Sequence, residues 1–107
     1  MENVSFKVVL DKRRKNEEEF YPLTLRTTYH RKRYYAYAKV TRLGESEPVH
    51  KMSVIEYENI YKQPKKRGHK HLLSEFDSIT NAAHEVAKTI SPFNYNRFKR
   101  LLLGKET

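Results

Sequence analysis

The sequence predicts an α+β fold in which a three-stranded antiparallel β-meander packs against one long α-helix, with short additional helices. Two patterns support this prediction. Apolar and polar side chains alternate at a two-residue period through much of the first 41 residues, which is typical of half-buried strands. Further along, apolar side chains recur at steps of three and four residues, which is typical of one face of a helix.

Three alternating segments form the predicted sheet of residues 4–41, namely 4–11, 20–30 and 33–41. A charged loop, 12–19, joins the first two strands, and a tight turn at Arg31 and Lys32 joins the last two. Pro22 cannot donate to a strand ladder, so we expect it at the start of its strand or at a bulge. In the third strand, Tyr34 and Ala36 are expected to face the core, while Tyr35 and Tyr37 face outward.

The sheet is followed by a region, 42–73, that we predict to be a variable insert. Within it, Ser53 and Glu56 have the spacing of a capping box and predict a short helix toward Tyr61. The basic segment 62–71 is expected to be a mobile loop.

The long helix is predicted over residues 74–90, with Ser74 as its N-cap. Its apolar stripe consists of Phe76, Ile79, Ala83, Val86 and Ile90. Pro92 ends this helix, and Asn94 or Asn96 is expected to cap a last one that ends before Gly104.

The composition predicts one compact domain with a polyanionic partner. The chain has 107 residues, and 22 Lys and Arg against 13 Asp and Glu give a net charge of +9. Such an excess favours nucleic acid over an anionic membrane or an acidic protein. The sequence has no cysteine, which excludes disulfides and thiolate metal sites. We find neither a secretory signal nor a membrane-spanning run, and we expect a cytoplasmic, nucleoid-associated protein without a membrane partner.

The outward face of the predicted sheet is the strongest candidate site, and double-stranded DNA is the partner that it predicts. A two- or three-stranded sheet fits the major groove, where Arg or Lys can pair with guanine and Thr methyl groups can contact thymine. Cations in the loops are placed to contact phosphates. The candidate DNA-binding residues are Lys7, Lys12, Arg13, Arg14, Thr24, Arg26, Thr28, His30, Lys32, Arg33, Tyr35, Tyr37 and Lys39. The alternative is an ordinary solvated sheet face.

Other site chemistry finds little support in the sequence. His69 and His71 flank Lys70, whose charge would repel a metal ion, and further ligands are not evident. With three glycines the chain offers no phosphate-cradling loop, and no nucleophile lies beside a base in a recognisable motif. We therefore expect no cofactor, no metal site and no catalytic residues in this chain.

The order of the motifs resembles the N-terminal arm-type DNA-binding domain of tyrosine recombinases, the phage-type integrases. The segments that carry the resemblance are 6–10, 21–26, 33–35, 82–87 and 92–98. The resemblance implies a sheet inserted into the major groove of arm-type sites, read by Arg26, Thr28, Arg33, Tyr35 and Tyr37. The only His-x-x-Arg spacing in this chain, His30 to Arg33, falls in the predicted hairpin, and the resemblance places the family's catalytic domain outside this chain. The Trp-containing segment expected between residues 40 and 72 is absent.

The same resemblance implies a division of the chain. Residues 1–90 would be the arm-binding domain, and residues 91–107 would begin the connection to a core-binding domain of a longer integrase. Other integrase protomers and the chain's own downstream domains would then be partners.

Two other functions stay open. Cations interleaved with tyrosines also suit double-stranded or structured RNA, although the Gly-Phe-rich signature of an RNA-recognition sheet is absent. The third possibility is a protein-interaction domain with incidental positive charge, whose contact is formed by the leucines 101–103.

Overall fold

The computed structural model describes residues 4–13 and 19–102, and in these residues it confirms the predicted α+β class. The elements, in chain order, are β1 (Val4–Leu10), β2 (Phe20–Tyr29), β3 (Lys32–Tyr37), β4 (Lys51–Ser53), α1 (Val54–Lys62), α2 (Arg67–Ala87) and α3 (Tyr95–Leu102).

The sheet is built around β2, which pairs antiparallel with β1 on one side and with β3 on the other. The predicted meander is therefore confirmed. A short strand that the sequence did not predict, β4, also pairs with β2 and lies beyond the end of β3. At Leu23 the neighbour of β2 changes from the β3 segment to the β4 segment. The Leu23 carbonyl accepts from the N–H of Ala38, just after β3, at 2.9 Å, and its N–H donates to the carbonyl of His50, just before β4, at 2.9 Å.

The turn between β2 and β3 lies at His30 and Arg31, one residue earlier than predicted. These two residues have φ angles of +50° and +66°, and Tyr29 pairs with Lys32 across the turn. Two central residues in the left-handed region are typical of a type I′ hairpin. The sequence prediction was wrong here because neither residue is the Asn or Gly that normally marks such a turn.

Two apolar clusters fill the inner face of the sheet. The first consists of Val8, Leu10, Leu23, Val40, Met52, Ile60, Leu72 and Phe76. The second consists of Leu25, Ala83, Ala87, Ile90, Phe93 and Phe98. The inward orientation predicted for the third strand is confirmed, because Ala36 and Val40 are buried and Tyr34 stacks on Tyr95.

The region 42–73 is part of this core, since Met52, Ile60 and Leu72 are all buried in the first cluster. The prediction that α2 begins at Ser74 is wrong. The helix begins at Arg67 and ends at Ala87, so much of the segment expected to be a mobile loop forms its first turns. Leu72 extends the apolar stripe by one turn, and this burial outweighs the local capping signal of Ser74, which is exposed.

The helix start that the Ser53–Glu56 spacing predicted for α1 is confirmed. Ser53 is its N-cap, and the hydroxyl accepts from Glu56 N–H at 3.1 Å. The Glu56 carboxylate also accepts two hydrogen bonds from the Arg42 guanidinium, at 2.7 and 2.9 Å. The adjacent residue, Tyr57, donates its hydroxyl to the Val8 carbonyl at 2.7 Å and so joins α1 to β1.

The last helix, α3, packs into the second cluster. The Asn94 side chain accepts from Arg97 N–H at 3.0 Å, which is the predicted cap. Phe98 is 1% exposed and stacks on Phe6 with a centroid distance of 5.2 Å. Leu101 and Leu102 pack against the same cluster, whereas residues 103–107 lie outside the described part of the chain. The described residues after position 90 are thus folded onto this domain.

Candidate nucleic-acid interface

The side of β1–β3 that faces away from the two clusters is called the outer face below. The register places its side chains in three rows, each with one residue from β1, β2 and β3 in turn: Ser5, Thr28 and Arg33; Lys7, Arg26 and Tyr35; Val9, Thr24 and Tyr37. Strands β1, β2 and β3 contain no Asp or Glu. The outer face is therefore cationic and hydroxyl-rich, as the alternation predicted.

Accessibility differs along the rows. Lys7 and Arg33 are exposed, and Tyr37 is 80% exposed. Arg26 and Tyr35, in the middle row, are half-buried, as is Thr28. The middle of the outer face thus offers side chains that are partly ordered by packing and still reachable by a ligand.

Thr24 corrects one prediction. It was expected to be an outward DNA-binding residue, but it is 1% exposed, and its hydroxyl donates to the Val9 carbonyl at 3.2 Å. It lies on the central strand with Val9 and Tyr37 as its cross-strand neighbours, both of which carry larger side chains. Its hydroxyl joins β2 to β1 and is not available to a partner.

The hairpin tip carries three further basic residues. His30 was expected on the outer face, but it lies in the turn, is exposed and contacts the Tyr29 ring with a centroid distance of 4.0 Å. Arg31 and Lys32 are exposed beside it. Lys39 is also exposed, but it follows the end of β3.

Arg13 lies over the outer face. Its guanidinium carbon is 4.2 Å from the centroid of the Tyr35 ring. Asp11 holds it there, because Nε and one terminal nitrogen of Arg13 donate to the Asp11 carboxylate at 2.8 and 2.7 Å. This hydrogen bonding raises the pKa of Arg13, and the side chain is still 63% exposed. The sequence predicted Arg13 as a loop cation; its stacking on Tyr35 was missed because the loop has no periodicity.

The two other loop candidates have different outcomes. Lys12 is exposed just after β1. Arg14 lies outside the described residues, together with positions 15–18.

One helix reaches the border of the outer face. Tyr61, in the last turn of α1, is 44% exposed, and Lys7 Nζ lies 5.9 Å from the centroid of its ring. Tyr61 also packs on Tyr57, which anchors α1 at β1. The C-terminal end of α1 therefore stands beside the β1 edge of the outer face.

The two histidines considered as metal ligands each contact a different backbone carbonyl. His69 Nδ1 is 2.9 Å from the Gln63 carbonyl, and His71 Nε2 is 2.8 Å from the Thr41 carbonyl. Within residues 4–13 and 19–102, no three His, Cys, Asp or Glu side chains are grouped to hold a metal ion.

In the same ranges, no helix combines the length and apolar character needed to cross a bilayer.

Comparison with known proteins does not place this chain in a family. No family model matches the sequence, and neither a curated protein nor a solved structure matches it significantly. The resemblance to the arm-binding domain of integrases therefore stays a prediction, supported by motif order alone.

Proposed function

We propose that this chain binds duplex DNA through the outer face, with β1–β3 lying in the major groove. The middle row carries the proposal, because Lys7 and Arg26 occupy directly opposite positions and Arg13 stacks on Tyr35, the third member of the row. Like charges directly opposite each other destabilise a sheet. The arrangement therefore costs folding free energy, and a polyanion would offset that cost.

The dimensions of the sheet support the same proposal. Neighbouring strands lie about 4.8 Å apart, so β1 and β3 stand about 10 Å apart across β2. The major groove of B-DNA is about 12 Å wide and admits a β-ribbon. The outer face thus has the width of the groove, and the strands present no carboxylate to it.

Different positions suit different contacts. Arg26 and Thr28 lie on the central strand and would approach base edges, with Arg able to pair with guanine and the Thr methyl with thymine. Lys12, the hairpin tip and Arg33 lie at the borders of the face, where phosphates flank the groove. Thr24 is excluded from the reading surface by its burial.

The narrower form of the proposal is an arm-type site bound by the N-terminal part of a tyrosine recombinase. It rests on the motif order, in which 6–10, 21–26 and 33–35 follow one another as three strands of a meander. The predicted packing of the sheet on the long helix is present.

The first test compares Arg26→Ala with Lys12→Ala. Selection from a random duplex library, followed by titration, measures both specificity and affinity. We expect Arg26→Ala to cost about 1 to 3 kcal/mol and to relax specificity at one base pair, whereas Lys12→Ala weakens all sequences alike. Lys99→Ala, which removes an exposed cation from α3, is the control and should leave affinity nearly unchanged.

Salt and RNA provide the decisive comparisons. With about six phosphate contacts, the affinity should fall on the order of a thousandfold between about 50 and 200 mM salt. The absence of measurable duplex affinity at low salt would refute the proposal. An RNA duplex of the same sequence should bind more weakly, because its deep and narrow major groove does not admit the sheet. A preference for the RNA duplex would favour the RNA-binding alternative.

A further inference from the structure

A second cationic surface lies at the junction of α1 and α2. We call it the basic corner and define it by four exposed residues: Lys65, Lys66, Arg67 and Lys70. The segment 62–74 contains no Asp or Glu. None of the four forms an ion pair with a carboxylate in the described part of the chain, whereas nearby Lys62 lies 3.9 Å from Glu58.

The fold does not explain these charges. Lys66 is the N-cap residue of α2 and makes no side-chain capping bond, and the first turn of the helix contains no acidic residue. The positive end of the helix dipole disfavours cations at this position. The charges therefore weaken α2 slightly, and a role in binding would account for their presence.

The basic corner continues the outer face around the β1 edge. Lys7 lies over the ring of Tyr61, and Lys65 follows Tyr61 by four residues. Four residues span at most about 14 Å, so the corner begins within that distance of the border of the outer face. A groove about 12 Å wide has phosphates along both sides, so a surface that continues past the border of a sheet lying in the groove faces one phosphate backbone.

We infer that the basic corner is a second contact surface, which holds the phosphodiester backbone of the same duplex beside the groove that the sheet occupies. The inference rests on the proposed function of the outer face. Flexible Lys and Arg side chains contact phosphates without reading sequence, so the corner adds affinity and fixes the orientation of the domain without adding specificity.

The test is the salt dependence of binding to a random-sequence DNA duplex of about 30 base pairs, for which sequence contacts are averaged out. The variant is Lys65→Gln, Lys66→Gln and Arg67→Gln combined. The control combines Arg97→Gln, Lys99→Gln and Arg100→Gln, which removes the same charge from exposed positions of α3, a helix packed on the inner face.

Three lost phosphate contacts should reduce the slope of log K against log salt by about 2.7. Between about 50 and 200 mM salt, wild type should therefore lose roughly 40-fold more affinity than the corner variant. The α3 control should keep the wild-type slope. The corner variant should also keep the base preference of wild type, because its contacts do not read sequence.

Each other outcome overturns the inference in a distinguishable way. A wild-type slope in the corner variant would refute the corner contact while leaving the outer face as the binding surface. An equal reduction of the salt slope in the corner variant and in the α3 control would mean that affinity depends only on the net charge of the domain and not on the basic corner. If wild type binds no duplex, the proposed function fails and the inference fails with it. Thermal unfolding of both variants checks that the exposed substitutions preserve the fold.

Discussion

Thr27 provides a test of the packing between the sheet and the helices. It lies on the inner face of β2, with Phe6 and Tyr34 as its cross-strand neighbours. The residue is 0% exposed, and its hydroxyl has no hydrogen-bond partner among the described residues. A buried hydroxyl that loses its bonds to water without replacing them costs about 1 to 3 kcal/mol. Thr27→Val replaces that hydroxyl with a methyl group of nearly the same size.

We expect Thr27→Val to raise the free energy of unfolding by about 1 kcal/mol or more. In a domain of about 100 residues, 1 kcal/mol corresponds to a rise of roughly 4 to 8 °C in Tm. Urea unfolding measures the free energy, and an unchanged m-value shows that the denatured state is unaffected.

The same strand offers two matched controls. Thr24→Val removes a hydroxyl that donates to the Val9 carbonyl, and it should cost about 1 kcal/mol. Thr28→Val changes a half-exposed residue of the outer face and should alter stability by less than about 0.5 kcal/mol. If Thr27→Val destabilises the protein as Thr24→Val does, the hydroxyl of Thr27 has a partner and the reasoning is refuted.

Three further predictions concern the turn, α1 and α3. Arg31→Gly should stabilise the protein by about 0.5 to 1 kcal/mol in urea unfolding, since φ is +66°, whereas Lys32→Gly in β3 should destabilise it. Burial raises the pKa of Tyr57 above its ordinary value of about 10, so the folded state should lose stability as the pH rises above that value. Tyr57→Phe should cost about 1 kcal/mol near neutral pH and lessen the alkaline loss, and an unchanged alkaline loss would contradict this. Phe98→Ala should cost about 3 to 5 kcal/mol, whereas a negligible effect on Tm would mean that α3 is a detached connection.

The faces of the strands could be predicted from the sequence because burial on one side imposes a two-residue period. Leu23 and Leu25 face the core, and Tyr35 and Tyr37 face outward, as the alternation indicated. The N-cap signal at Ser53 was equally informative, since its hydroxyl accepts from the backbone N–H of a residue only three positions along the chain.

The beginning of α2 could not be predicted in the same way. Ser74 is a good local N-cap, but burying Leu72 between the sheet and α1 stabilises the longer helix more than a capping hydrogen bond at Ser74 would stabilise the shorter one. The three-residue strand β4 is too short to show a period, and it forms because region 42–53 returns along β2.

The candidate site was predictable as a face and not as a set of contacts. Lys7 lies opposite Arg26 because of the register between β1 and β2, which the alternation within each strand does not reveal. The burial of Thr24 depends on its neighbours on two other strands, and the position of Arg13 depends on Asp11 and on the path of the chain after β1. Such tertiary effects leave no periodic signal in a single sequence.

The proposed binding of DNA by the outer face can be examined across the whole domain. Amide chemical-shift mapping during titration with a DNA duplex tests it most directly, because every part of the domain is observed at once. We expect shifts concentrated in β1–β3, the hairpin tip and Arg13, with the inner helices α2 and α3 little changed beyond the first turn of α2. Shifts concentrated on α3, or an unperturbed spectrum at low salt, would refute binding through the outer face.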